Sequence, residues 1–346
     1  MGSPLKVAVI GAGLVGTRHI AAIKAVDGVS VSAIADPSDA ASATADEIGV
    51  SCHRDWRAVL DPAPDGVIIA TPNDLHEAPA IAALDAGVPV LLEKPIADAS
   101  DAGQRIVETA EKTGTPLLIG HHRRHATFVQ AAKARIDHGD LGRIVAAHGV
   151  FWIGKPDDYF DVSWRTKPGA GPVLINLIHD VEMMLYLCGD VCSVHARMSN
   201  AVRGYTVEDT TTVLLEFTSG ALGTLTASDA IVSPWSWEFT SGENPAYPKT
   251  DQTALMIGGT RGSLSLPSGT LWSQGRPDWW APLISSNETF PPEDPLINQI
   301  GHFTRVIRGE EPPLVTGKQA LRALRVIEAI IASGKTNETV MFPPVA

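Results

Sequence analysis

The stretch Val90-Leu91-Leu92-Glu93-Lys94-Pro95 contains the residues best suited to moving a proton. A short apolar run that ends at charged residues and a proline is typical of a strand buried on both faces. A lysine at the end of such a strand is partly desolvated, which lowers its pKa towards the range useful for acid–base catalysis. Pro95 ends the strand and restricts the backbone next to Lys94. We predict that Lys94 is catalytic; a solvated Glu-Lys pair is the alternative for this stretch taken alone.

A second set of polar residues lies on an apolar helix predicted over Val173–Leu187. Asn176, His179 and Asp180 are three and four residues apart, which places them on one face of an α-helix. Buried polar groups need partners, so these side chains either pair with each other and nearby loops or bind a substrate. The polar loop 154–171 precedes the helix, and we expect it to flank the substrate through Trp164 and Arg165.

A glycine-rich turn would position a cofactor near these groups. The predicted strand Leu5–Ile10 runs directly into Gly11-Ala12-Gly13-Leu14-Val15-Gly16 and then into a helix. In such a turn Gly11 permits the sharp bend, Gly13 lets a pyrophosphate approach the backbone, and Gly16 allows close packing of helix on strand. The pyrophosphate would lie at the helix N-terminus, where free N–H groups attract an anion. The motif therefore predicts a dinucleotide-binding domain.

An acidic residue follows at the distance expected for a ribose contact. The predicted strand Val29–Ala35 ends at Asp36, which lies 20 residues after Gly16. A carboxylate there would bind the ribose 2′-hydroxyl and repel a 2′-phosphate. We predict NAD as the cofactor in preference to NADP. Asp36 could also cap the helix that begins near Ser38, and the two roles are compatible.

Strand and helix patterns alternate up to residue 119, which predicts a doubly wound parallel sheet covered by helices. Ligands of such sheets bind beyond the carboxyl ends of the strands, where the strand order reverses. Several segments follow strand ends and should meet there as cofactor-binding residues: the glycine turn, Asp36, Thr71, Pro72, Asn73, His76, Glu93 and Lys94.

Length and composition limit the class of protein. With 346 residues the chain should form two domains, which we predict as 1–122 and 123–346, the last helix being able to pack back on the first domain. The net charge of −12 argues against nucleic-acid and membrane-surface partners. Three cysteines, no long apolar stretch and no room for a signal peptide before the first strand favour a soluble cytoplasmic protein.

The sequence resembles the glucose–fructose oxidoreductase / inositol dehydrogenase family, Gfo/Idh/MocA. The similarity extends over nearly the whole chain, and it is carried by Val9–Gly16, by Ala70–Asn73 with His76, by Ala83–Gly87, by Glu93–Pro95, by Gly169–Asp180, and by Val315–Gly317 with Ala320–Leu324.

The resemblance implies an α/β chain: an N-terminal NAD(P)-binding Rossmann domain and a C-terminal α+β domain with a large open mixed sheet. It implies that Lys94 assists proton transfer, that His179 binds the reacting hydroxyl, and that the bond before Pro95 is cis. It also implies a homodimer or homotetramer formed through the open sheet face. The chain departs from the commonest pattern at Ile175, where relatives have an aspartate, so Asp180 or water would have to assist Lys94.

Together these observations predict an NAD-dependent oxidoreductase that acts on a secondary alcohol, and the resemblance implies that this alcohol belongs to a cyclic polyol, a sugar or a sugar acid. A carboxylated substrate would be bound by the basic residues Arg123, Lys155, Arg165 and Lys167. No metal is expected, because the histidines of 121–125 have no carboxylate among them. A dinucleotide-sensing regulator without activity and a glycosidase that uses bound NAD are the alternatives.

Overall fold

The computed structural model describes residues 3–276, 278–291 and 293–343. The chain divides into two compact units, one of residues 1–125 with 295–324 and the other of residues 126–294 with 325–346. The domains predicted from the sequence, 1–122 and 123–346 with the last helix able to pack back on the first, stay a prediction; in this division residues 295–324 belong to the first unit. The outermost residues of the two predicted ranges, 1–2 and 344–346, lie outside the described residues.

The first unit contains a six-stranded sheet of order β3-β2-β1-β4-β5-β6 in which all paired strands are parallel. Its strands are β1 (Leu5–Ile10), β2 (Val29–Ala35), β3 (Ser51–His53), β4 (Gly66–Ile69), β5 (Val90–Leu92) and β6 (Leu117–Ile119). The order reverses between β1 and β4, which is the predicted ligand position.

Helices connect these strands: α1 (Leu14–Lys24), α2 (Asp39–Ile48), α3 (Glu77–Asp85) and α4 (Ser100–Thr113). The local sequence explains their ends, since Ser38 caps α2 by accepting from the Ala41 N–H, and Gly49 ends it in the left-handed conformation. Short, wholly buried strands such as β4 and β5 account for the apolar runs, because helices cover both faces of the sheet.

The second unit is built on a nine-stranded mixed sheet of order β14-β13-β12-β11-β7-β10-β9-β8-β15. Its strands are β7 (Ile144–Trp152), β8 (Val191–Ser199), β9 (Thr210–Phe217), β10 (Leu222–Ser228), β11 (Leu255–Gly259), β12 (Gly262–Leu266), β13 (Thr270–Ser273), β14 (Ile284–Ser286) and β15 (Val340–Met341). Strand β9 alternates buried and exposed residues, as expected for a sheet with one open face.

The remaining helices are α5 (Thr127–His138), α6 (Ile178–Cys188), α7 (Trp237–Ser241), α8 (Pro295–Ile307) and α9 (Gly317–Thr336). The single helix predicted over Val173–Leu187 is corrected: Val173–Leu177 is a π-helical segment, and α6 begins at Ile178. No helix within the described ranges is long and apolar enough to cross a membrane.

Candidate active site

The glycine turn at the end of β1 has the geometry that close backbone approach requires. Gly11 has a φ of +89°, and a Cβ there would lie 2.7 Å from the Ala70 backbone. A Cβ on Gly16 would overlap the Gly11 carbonyl, whereas one on Gly13 would meet no atom of the described residues within 4 Å. Of these three glycines, only Gly13 therefore has open space beside it, and this is where the sequence predicts a pyrophosphate.

Asp36 is held by two backbone N–H groups at the end of β2. Its Oδ2 accepts from Ala12 at 2.8 Å and its Oδ1 from Ser38 at 2.8 Å. Partial burial pushes the pKa of Asp36 upwards, but these hydrogen bonds outweigh it and hold the pKa below its usual value. Asp36 is thus ionised at neutral pH. Each carboxylate oxygen can accept a further hydrogen bond, so the residue can also bind a ribose hydroxyl.

A cavity of about 1080 Å³ opens beside this carboxylate within the first unit. Its lining combines the glycine turn, the end of β2 and the loop after β4, including Gly13, Asp36, Arg54, Thr71 and Leu75. The Thr71 hydroxyl is buried and has no hydrogen-bond partner among the described residues, and Leu14 at the turn is 84% exposed. An unpaired hydroxyl and an uncovered apolar side chain fit a dinucleotide that would contact both.

The loop after β4 is tied to the turn that carries Lys94. The ring nitrogens of His76 lie 2.9 Å from the Pro95 carbonyl oxygen and 2.9 Å from the Thr71 carbonyl oxygen. Burial lowers the pKa of His76 despite these two acceptors. The neutral ring donates to one carbonyl at a time. His76 is fully buried and holds backbone rather than pointing to open space, while Pro72 is exposed and Asn73 half-buried.

Glu93 and Lys94 directly follow β5, the second strand from the glycine turn across the sheet. Glu93 is buried; its Oε1 accepts from His19 Nε2 at 2.7 Å and its Oε2 from the Lys94 N–H at 3.1 Å. Lys94 is half-buried, and the bond to Pro95 is cis. Glu93 therefore holds the backbone of Lys94.

The histidine-rich segment after β6 is buried rather than displayed. His121 and His125 are buried, and burial lowers the pKa of both well below the usual value. Arg123, a predicted substrate residue, is only 2% exposed. Arg124 anchors its own unit by donating to the Gln319 side chain at 3.1 Å.

In the second unit, Asn176 lies in the π-helical segment and interacts with a half-buried cation, Lys155. Its Oδ1 accepts from Lys155 Nζ at 3.4 Å, and Lys155 also forms an ion pair with Asp229 at 3.6 Å. Burial lowers the pKa of Lys155, although the Asp229 carboxylate opposes the shift. Arg203 donates to the same carboxylate at 2.9 Å. A π-helical segment is often found at functional sites.

His179 and Asp180 lie in the first turn of α6, and both are buried. Because the preceding turn is π-helical, their spacing from Asn176 is not that of a regular α-helix. In the loop before this segment, Trp164 is 53% exposed. The Arg165 guanidinium lies 4.1 Å from the centre of the Tyr159 ring and donates to the Tyr159 carbonyl oxygen at 2.8 Å.

Three residues near the predicted site, His19, Asp229 and Arg203, were not predicted from the sequence. His19 contacts Glu93, and Asp229 with Arg203 surrounds Lys155. A histidine on the otherwise apolar inner face of α1 was the only sequence signal for the first; nothing in the spacing of the other two indicated their contact.

Residues 5–121 match a family described as an oxidoreductase family with an NAD-binding Rossmann fold. Residues 129–265 match the C-terminal domain of Gfo/Idh/MocA proteins. The chain belongs to the Gfo/Idh/MocA oxidoreductase family. The resemblance, the fold class and the NAD-binding domain predicted from the sequence are thereby confirmed, and the chain is an NAD(P)-dependent oxidoreductase.

Similar members of the family include sugar and polyol enzymes. Inositol 2-dehydrogenase 2 of Saccharopolyspora erythraea is 33% identical over 227 residues, which cover 63% of this chain and 65% of that protein. The 1,5-anhydro-D-fructose reductase of Ensifer adhaerens is 26% identical over 349 residues, covering 94% and 96%. An Agrobacterium radiobacter oxidoreductase, crystallised with NAD+, L-tartaric acid and magnesium, superposes with a TM-score of 0.82 at 24% identity, covering 98% of each chain.

Proposed function

We propose that this protein transfers hydride between NAD and a secondary alcohol of a cyclic polyol or sugar, with Lys94 assisting proton transfer. The observation that carries the proposal is the position of Lys94 at the carboxyl end of β5, on the same edge of the parallel sheet as the glycine turn after β1. Ligands of doubly wound sheets bind along that edge.

Each residue has a definite task in this mechanism. When bound, the nicotinamide accepts or supplies a hydride at its C4 carbon. In the oxidative direction the Lys94 amine takes the proton of the substrate hydroxyl, and His179 hydrogen-bonds to the reacting oxygen. Asn176 or Asp180 binds a neighbouring hydroxyl, with Asp180 or water assisting the proton transfer because position 175 is isoleucine.

The nucleotide half of the proposal rests on the first unit. The open space at Gly13 and the helix that begins at Leu14 suit a pyrophosphate, and the ionised Asp36 suits a ribose with a free 2′-hydroxyl. NAD is therefore preferred over NADP. Glu93 and His76 contribute by holding the backbone around Lys94 and Thr71.

An uncharged polyol or sugar is the first substrate class. The polar loop 154–171 contains Lys155, but the ion pair with Asp229 compensates the charge of this lysine and leaves it better suited to a hydroxyl than to a free carboxylate. The inositol and anhydrofructose enzymes among the relatives support this class. Arg165, with the exposed Lys167, makes a sugar acid the second class, and Trp164 is positioned on the same loop.

We also propose that the protein works in the cytoplasm as a homodimer or homotetramer. The open face of the second sheet carries Leu214, Leu222 and Met256, which are 48%, 52% and 44% exposed. Their strands pair in a register that puts Met256, His148, Thr224 and Leu214 in one row across the sheet. An apolar sheet face of this kind suits association between copies of the chain.

The test is an absorbance screen for NADH formation over cyclic polyols, aldoses and their carboxylated counterparts. Lys94→Ala should lower kcat by about 100-fold or more, the size of a general acid–base contribution, while the Kd for NADH stays within about threefold. Lys112→Ala, on the exposed side of α4, is the matched control and should retain full activity.

The alternatives predict other results. Unchanged turnover in Lys94→Ala would refute the assigned role. NADH binding without turnover over the whole panel would instead indicate a dinucleotide-sensing regulator. Release of a free leaving group without net NADH would indicate an NAD-using glycosidase.

A further inference from the structure

The buried imidazole of His19, in α1, contacts Glu93, the residue that precedes Lys94. His19 lies in α1, its side chain is fully buried, and its Nε2 donates to Glu93 Oε1 at 2.7 Å. The two residues are 74 positions apart in the chain. The contact therefore joins the helix that follows the glycine turn to the end of β5.

The other oxygen of the same carboxylate holds the Lys94 backbone. Glu93 Oε2 accepts from the Lys94 N–H at 3.1 Å, so the carboxylate folds back over the peptide that carries the catalytic side chain. A Cβ on Gly120 would lie only 2.8 Å from Glu93 Oε1, which shows how closely the end of β6 packs against this group. The Glu93 side chain has little room to move when its partners are in place.

The charge on Glu93 makes the contact with His19 important. Burial would raise the pKa of Glu93, but the hydrogen bond from His19 and the electrostatic effect of nearby groups, Lys94 among them, lower it to about 2. The carboxylate is therefore ionised throughout the range in which an enzyme is assayed. An ionised group at a buried site that loses a hydrogen-bond donor reorients to find another, or water enters beside it.

A second imidazole holds the other side of the turn. His76 contacts the carbonyl oxygen of Pro95, the residue after Lys94, and its other nitrogen contacts Thr71 at the edge of the cavity. Both neighbours of Lys94 are thus fixed by buried side chains that come from cofactor-binding elements.

We propose that His19 is a positioning residue that acts through Glu93: it fixes the Lys94 backbone, and so the distance of the Lys94 amine from the reacting hydroxyl. This inference rests on the proposed function of Lys94. It adds that α1 has two tasks, because the helix whose N-terminus would bind the pyrophosphate also sets the position of the catalytic lysine. A displacement of about 1 Å in a reacting group can cost about 100-fold in rate.

The experiment compares two substitutions of similar size. His19→Gln can place its amide N–H where Nε2 donates, whereas His19→Leu fills the space without a donor. His19→Leu should lower kcat by about 100-fold, with the Kd for NADH and the substrate KM changed by less than about threefold. His19→Gln should restore kcat to within about tenfold of the wild type.

A second histidine–glutamate pair in the same unit, in which His302 is buried and Glu311 is exposed, provides the control. His302 Nδ1 donates to Glu311 Oε2 at 2.9 Å, and its Nε2 accepts from the Leu314 N–H at 3.0 Å. Neither hydrogen bond involves Glu93, Lys94 or Pro95. His302→Leu removes two hydrogen bonds of a buried imidazole and should lower thermal stability while kcat stays at the wild-type value. Equal losses of kcat in the two leucine variants would overturn the proposal, since the effect would then be general destabilisation.

Two further outcomes decide the matter. Wild-type kcat in His19→Leu, or a His19→Gln variant no better than His19→Leu, would overturn the positioning role while the Lys94→Ala result still supports the proposed function. If His19→Leu does not fold, Glu93→Leu takes its place. This variant removes both carboxylate oxygens, so neither the Lys94 N–H nor His19 Nε2 keeps its acceptor; kcat should fall while NADH still binds, and unchanged kcat would overturn the proposal.

Discussion

Replacing Asp36 by serine should change which dinucleotide the enzyme uses. In the wild type the carboxylate is ionised and held by the N–H groups of Ala12 and Ser38, and it faces the cavity that also contains Arg54. Arg54 donates to the Pro37 carbonyl oxygen at 2.9 Å, so a cation is already present at this edge of the cavity. The substitution removes an anion and leaves that cation in place.

Two effects contribute to the expected change in the NAD/NADP preference. Loss of a hydrogen bond between a charged group and a ribose hydroxyl costs about 1.5–3 kcal/mol, or roughly 10- to 150-fold in kcat/KM for NAD. A carboxylate and one phosphate charge about 6 Å apart repel each other by roughly 3 kcal/mol at an effective dielectric constant of about 20. Removing that repulsion should raise kcat/KM for NADP by about 100-fold. The NAD/NADP preference should therefore fall by about 1000-fold or more.

The assay is initial-rate kinetics with both cofactors on the best substrate of the screen. Asp36→Asn keeps one acceptor oxygen for the glycine turn, and so separates loss of charge from disruption of the turn. Asp46→Ser, on the exposed side of α2, removes a charge from the same region outside the cavity and should leave the preference unchanged. A preference altered by less than tenfold in Asp36→Ser would refute the claim that Asp36 reads the ribose.

Two other predictions concern the glycine turn and acid stability. Gly13→Ala should raise the Kd for NADH at least about tenfold without lowering the melting temperature, because its Cβ enters open space; Gly11→Ala, at a φ of +89°, should instead lose more than about 1 kcal/mol of stability. Fluorescence titration and thermal melts separate the two, and equal behaviour would contradict the assignment. Burial lowers the pKa of His122 to about 3, and Glu93 has a pKa of about 2. Both pKa values lie below those of the unfolded chain, so the unfolded chain binds more protons and the free energy of unfolding decreases as the pH falls. The decrease occurs between about pH 6.5 and 3 for His122 and between about pH 4.5 and 2 for Glu93. Because of His122 alone, the free energy of unfolding measured with urea should fall by about 2 kcal/mol between pH 6.5 and 5. If His122→Gln shows the same pH dependence as the wild type, this account is wrong.

Much of the first unit follows from local sequence. Strands buried on both faces, such as Val90–Leu92, form apolar runs bounded by breakers, and the glycine spacing after Ile10 leaves few alternatives for the backbone. Edge strands are harder, because their residues are only partly buried. The short Ser51–His53 strand lacks the apolar run, and its pairing with β2 is visible only in the structure.

The sequence was a poorer guide to the second unit and to long-range contacts. Periodicity predicted one helix over Val173–Leu187, but it cannot reveal an inserted residue that makes the first turn π-helical. Residues 295–324 belong to the first unit although strands β7 to β14 of the second sheet precede them in the chain. The order of residues along the chain does not show which unit such a late segment packs against.

The sequence by itself determined the residue types that chemistry needs and the strand ends that present them: the glycine turn, Asp36 and Lys94 are all readable in order along the chain. Only the tertiary structure decided what holds them. The contact of His19 with Glu93 joins residues 74 positions apart, and it exists because α1 packs against the sheet beside the end of β5. Hydrogen bonds act over about 3 Å, so partners distant in sequence are chosen by packing and cannot be inferred from spacing.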